Sequence, residues 1–173
     1  MVVRQRVRPL SYAHIVIRNV MTESNVRKNS SSLAFSLKVE DGWPPVAVEN
    51  VPFEKTDTGC RILVPPIFVK GISVGDIIEI IKTENREIKT WEHIKKSNRT
   101  TIWLRRMRDS KKLEFVLSEL RDLGCHTVYL ESLGSFSVDV PSKVTIESVD
   151  VALGKLDKRS TAVAFPSFRH QES

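Results

Sequence analysis

The stretch that decides the fold is "DSKKLEFVLSELRDLGCHTVYLESLGSFSVDVPSKVTIESVDVALGKLD", Asp109 to Asp157. Its first part places Leu113, Val116, Leu117, Leu120 and Leu123 at helical spacing, which gives one apolar face. Asp109 or Ser110 is expected to accept from the free amides of the first turn. Gly124 suits the left-handed residue that closes the last. "HTVYLE" and "SFSVDV" then alternate as short strands around the turn "SLG", and Pro141 ends the second. "SKVTIESVDVALGKLD" returns to helical spacing, with Ile146, Val149, Leu153 and Leu156 on one face. "TTIWLRRM" before this stretch and "STAVAF" after it read as strands. The order is strand, helix, strand, strand, helix, strand, the plan of a ferredoxin-like βαββαβ domain.

Upstream, the signals are strands and turns only. "LAFSLKV", "VAVENVPFEK", "CRILVPPIF", "DIIEIIK" and "IKTWEHIKK" are separated by "EDGWPP", "TDTG", "TENRE" and "SNR". Short strands at this spacing hide their edges best by closing on themselves. The expected fold is therefore α+β: a small antiparallel β-barrel over residues 33–97, followed by the ferredoxin-like domain over 98–169. Residues 1–32 read as a basic, flexible N-terminal extension, because "TESNVRKNSSS" has linker composition. Residues 170–173 are a tail.

Composition narrows the function. At 173 residues and 40% apolar content the chain can bury a core. Its longest apolar stretches, such as "ILVPPIFV", are too short for a membrane helix, and "MVVRQRVRPLSYAHIVIRNVMTES" lacks the unbroken apolar core of a secretory leader. A cytoplasmic protein with no membrane partner is expected. The formal charge is +6, but Arg4, Arg6, Arg8, Arg18, Arg27 and Lys28 against Glu23 place five of those charges in residues 1–31. The rest is nearly neutral. A second basic run, "KKSNRTTIWLRRMRDSKK", contains Lys95, Lys96, Arg99, Arg105, Arg106 and Arg108. It reads either as a phosphate-attracting patch or as a charged, protected strand edge.

Motifs for chemistry are missing. Cys60 and Cys125 are far apart and read as buried, reduced thiols. His14, His93, His126 and His170 lie in separate elements without metal-ligand spacing, so no metal site is expected. "PPIFVKGISVGDIIEI", Pro65 to Ile80, has two glycines but lacks the longer spacing and the Gly-Lys-Ser/Thr of a phosphate loop. Gly71 and Gly75 read as turn residues, and Asp76 would repel a phosphate. No cofactor is implied.

Several of these pieces together resemble a bacterial family known as the domain of unknown function 4265 family. The likeness rests on "DGWPPVAVENVPF", "PPIFVKGISVGDIIEI" and "LRDLGCHTVYLESLGSFSVDVPSKVTIESVDVALGKLD". It maps onto Asp41, Gly42, Pro44, Pro45, Glu49, Pro66, Phe68, Gly71, Gly75, Asp76, Leu123, Gly124, Cys125, Asp139 and Pro141. The family's tryptophan near Val51 to Phe53 and its Gly-His turn near Ser97 are not matched. The resemblance implies no established activity.

Strand alternation gives the remaining expectation. Phe136, Val138 and Val140 should face the helices, which leaves Ser135, Ser137 and Asp139 on the open face. That face is expected to combine Trp103, Arg105, Thr127, Tyr129, Glu131 and Asp139, a mixture that suits a protein interface. Trp103 and Tyr129 either pack against the barrel or anchor a partner. Asp139 with Glu131 is a candidate carboxylate pair, although exposed polar strand residues are commoner. The leading expectation is a non-enzymatic protein of the immunity or antitoxin kind, binding a partner protein through Trp103, Arg105, Tyr129, Glu131 and Asp139. The alternative is nucleic-acid binding through Lys95, Lys96, Arg99, Arg106 and Arg108 with the basic tail.

Overall fold

The computed structural model describes residues 18–19 and 31–170. The expected flexible extension therefore lies mostly outside the described residues, as does the end of the tail. A two-residue strand β1 (Arg18–Asn19) comes first, and a barrel of five strands follows: β2 (Ser32–Ser36), β3 (Val48–Lys55), β4 (Cys60–Ile62), β5 (Ile77–Glu84) and β6 (Glu87–Lys95). Each consecutive pair is antiparallel. The closing pair is parallel, through Phe35 and Ile88. The barrel is thus mixed and not wholly antiparallel as expected. The reason is parity: when five strands alternate in direction, the first and the last point the same way, so closure must join a parallel pair.

The second half is a four-strand antiparallel sheet with two helices. Its elements are β7 (Thr100–Arg106), α1 (Lys111–Asp122), β8 (His126–Leu130), β9 (Ser135–Val140), α2 (Ile146–Leu153) and β10 (Thr161–Ser167). The spatial order is β8-β9-β7-β10, with β1 pairing on the outer side of β8. The helix ends follow the sequence in part. Thr145 accepts from the Ser148 amide at the start of α2, whereas Ser110 caps α1 without a side-chain bond. Gly124 takes φ +97°, the left-handed closure.

Two apolar cores sit on opposite faces of this sheet. On one side Ile102, Leu104, Phe136, Val138 and Val140 pack with Leu113, Val116, Leu117 and Leu120 of α1 and Val149 and Ala152 of α2. On the other, Val128 and Leu130 of β8 join the barrel core of Leu33, Phe35, Val51, Ile62, Ile78 and Ile88. The sheet is therefore buried on both faces, and the barrel is what covers the second. No helix among the described residues is long and apolar enough to cross a membrane.

Candidate functional site

The segment between β4 and β5 lies between barrel and sheet. Buried Glu49 on β3 holds it, accepting from the amides of Ile67 (2.6 Å), Phe68 (2.9 Å) and Val69 (2.9 Å). Burial raises the Glu49 pKa, and the three amides oppose that shift. The Pro66 carbonyl accepts from Trp103 Nε1 at 2.8 Å and Ser137 Oγ at 2.7 Å, and Thr101 Oγ1 donates to the Ile72 carbonyl at 3.2 Å. Gly71 and Gly75 adopt φ +77° and +83°, as turn residues should.

Asp76 ends this segment, and its carboxylate is fully engaged. It accepts from the Ser73 amide (2.9 Å), the Ser97 amide (2.7 Å) and both terminal nitrogens of Arg169 (3.0 Å each), and it lies 3.0 Å from His93 Nε2. Burial alone would raise its pKa, but the bonds from Arg169, Ser97 and Ser73 outweigh burial and hold it below the ordinary value. Arg169 also donates to the Gly71 carbonyl. This cluster ties the end of the chain to the barrel and leaves no acceptor for a ligand.

A different arrangement appears at the far end of β7. Asp41 (φ +50°) and Gly42 (φ +77°) form a tight two-residue turn closed by reciprocal bonds between Glu40 and Trp43. The turn presents Trp43 edge-on to Phe68, with ring centroids 5.6 Å apart. The Arg105 guanidinium lies 3.7 Å above the Trp43 ring. Trp43, Phe68, Trp103, Arg105, Ser135 and Ala164 are among the walls of an open groove of about 190 Å³. Arg105 and Ser135 are cross-strand partners and share the barrel-facing side of the sheet. Ser135 is 5% exposed, and its hydroxyl has no hydrogen-bond partner among the described residues. Arg105 likewise has no carboxylate partner among them.

The five expected partner-binding residues separate. Trp103 and Arg105 line the groove. Tyr129 is on the opposite face: it pairs with Phe136, stacks on it at 6.1 Å and packs on the helix-side core. Thr127 shares that side and accepts from Arg121 Nε. The expected face of β8 was inverted because both sides of the sheet are covered, so the apolar residues Val128 and Leu130 point to the barrel and not to the helices. Glu131 is exposed in a short helical turn (Glu131–Leu133) beyond β8. Asp139 is buried at the other end of β9 and pairs with Arg99. Four residues of strand, about 13 Å, separate it from Ser135. Asp139 and Glu131 therefore form no carboxylate pair.

The basic run is divided as well. Lys95 and Lys96 are exposed near the start of β7, whereas Arg106 and Arg108 are at its end, about 20 Å away along the strand. Arg99 is committed to Asp139. Both thiols are free, but only Cys125 is buried as expected, whereas Cys60 is half-buried: burial, then the Asp139 charge, pushes Cys125 up to about 12, and partial burial raises Cys60. The residues that sequence reasoning missed are Trp43 and Phe68. The available signal was the Asp-Gly turn directly before Trp43.

Comparison with known proteins now places the chain. A family profile, Domain of unknown function (DUF4265), matches residues 46–163. The chain belongs to that family. Most of the groove lies inside the matched span, and Trp43 lies just before it. The fold is similar to that of "Novel crystal structure of a hypothetical protein from Neisseria gonorrhoeae", with a TM-score of 0.66 and 16% identity, covering 84% of this chain and 99% of that one. At this identity the likeness concerns the fold alone. No match was found among curated proteins.

Proposed function

We propose that this protein is a non-enzymatic binding protein that captures a partner protein in the groove between barrel and sheet, in the manner of an immunity or antitoxin protein. Trp103 and Arg105 keep the role expected of them, and Trp43 and Phe68 join them. The reading treats the second half as a ferredoxin-like domain, which the strand order β8-β9-β7-β10 supports. Two unpaired cysteines fit a cytoplasmic setting.

One contrast carries the proposal. Elsewhere the buried carboxylates are engaged within the fold, Asp76 by Arg169, Asp139 by Arg99 and Glu49 by three backbone amides, so they serve the scaffold. At the groove an arginine and two tryptophans meet without an acidic partner among the described residues, and these residue types dominate binding energy at interfaces. Val163, Phe165 and Phe168, on or just after the edge strand β10, are each at least 40% exposed.

Affinity capture from the native host with wild type and a Trp43→Ala, Arg105→Ala double variant tests this. The expected result is a partner retained by wild type and lost by the variant at equal stability. Identical recovery would remove the groove from consideration. Binding to DNA or RNA with a steep log-log salt slope would instead favour the basic residues Lys95, Lys96, Arg106 and Arg108.

A further inference from the structure

We infer that the groove recognises the carboxy-terminal carboxylate of a partner chain whose last residue is apolar. This inference rests on the proposed protein-binding function and gives it a chemistry. The groove offers two donors of the same sense. Arg105 supplies a positive charge whose central carbon lies 3.7 Å from the Trp43 ring centre, and no ion pair with a described residue engages it. Ser135 supplies a buried hydroxyl that nothing in the described protein engages. Buried polar atoms are rarely left unpaired, and of the four such atoms among the described residues, the others being Ser97 Oγ, Glu119 Oε2 and Thr161 Oγ1, this one alone belongs to the groove lining.

The two side chains project from directly opposed positions on β7 and β9 and line the same groove, so an anion seated there can be approached from both. Charge complementarity thus selects an anion. The surrounding walls select what the anion carries. Trp43, Phe68 and Trp103 with Ala164 form an apolar lining. The volume of about 190 Å³ is below the roughly 300–1,000 Å³ of sites that enclose a whole drug-sized molecule. It suits one side chain, and because the groove is open the rest of a chain can leave it. A terminal residue satisfies all three conditions.

The test uses the tripeptide acetyl-Gly-Gly-Phe with a free carboxylate, its carboxamide, and phenylacetate as a free acid. Tryptophan fluorescence and titration calorimetry follow binding. The acid tripeptide should saturate, and the amide should bind at least about tenfold more weakly, as should the acid tripeptide to Arg105→Gln. Ser135→Ala should also weaken the acid tripeptide about tenfold while its thermal midpoint stays unchanged or rises, because the variant deletes an unpaired polar group. A purely structural serine would give the opposite pairing. Equal affinity for acid and amide would overturn the inference, as would phenylacetate binding as tightly as the tripeptide. Absence of any saturable signal at millimolar acid tripeptide would do the same.

Failure here is separable from failure of the proposed function. A captured partner that is lost in Trp43→Ala but unaffected by Ser135→Ala and by excess acid tripeptide would leave protein binding standing and remove carboxylate recognition. Saturable tripeptide binding with no groove-dependent partner would do the reverse.

Discussion

The clusters around Asp76 and around Arg105 contain similar residue types in opposite states. At Asp76 every oxygen is engaged by amides, by Arg169 or by His93. At Arg105 a cation rests on an aromatic ring and a neighbouring hydroxyl has no partner among the described residues. A buried polar group that is fully satisfied specifies the fold, and one left open costs stability that binding can recover. Charge content alone does not separate scaffold from site. The state of pairing does so only together with a groove, because Ser97 Oγ beside Asp76 is also unpartnered among the described residues but lines none.

The largest effect should come from breaking the closed cluster. Asp76→Ala leaves Arg169, 13% exposed at its side chain, without its carboxylate and should cost about 3–5 kcal/mol in urea unfolding. The pH dependence adds a sign. The folded-state pKa of Asp76 is below its ordinary value of 3.8, so its contribution is present above that value and is lost as pH falls through the lowered one. Asp76→Asn should therefore show a flatter acid limb than wild type. Wild type and variant losing stability in parallel would mean that another carboxylate governs the acid transition.

Glu49 should give a smaller effect of opposite slope. Removing its side chain orphans the amides of Ile67, Phe68 and Val69, at a cost of about 1–3 kcal/mol. Burial holds the folded pKa above the ordinary value of 4.5, so this group favours the fold most in acid and less as pH rises through the raised value. Glu49→Gln should remove that decline, as read from urea midpoints across the range. Phe68 should also shift, and Trp43 fluorescence with it, because Glu49 holds one wall of the groove.

How much was legible follows from the same physics. Helices and turns depend on local chemistry, so Leu113 to Leu120, Gly124, Gly71 and Gly75 declared themselves. The helix-facing set Phe136, Val138 and Val140 was also legible, because its strand alternates cleanly. The face of Tyr129 was not, since a sheet covered on both sides removes the contrast between inside and outside on which alternation relies. Nor was Arg169. Its partner Asp76 is 93 residues away, and only folding brings them together. The groove was half legible: Trp103 and Arg105 were found on their strand, but Trp43 and Phe68 arrive from turns whose direction no periodicity reports.

The smallest effect is the sharpest test of the comparison, because it uses two serines on one strand. Ser135 and Ser137 are two positions apart on β9, face the same side and are both buried. Ser137 donates to the Pro66 carbonyl at 2.7 Å, whereas Ser135 donates to nothing described. Ser137→Ala should cost about 1 kcal/mol, and Ser135→Ala should cost nothing or gain up to about 1 kcal/mol. Equal losses would mean that Ser135 already has an acceptor in the folded chain, and the reason for assigning it a ligand would vanish. A split in sign, read in chemical denaturation at equal slope, would show that one hydroxyl was kept for the fold and its neighbour for something the fold does not contain.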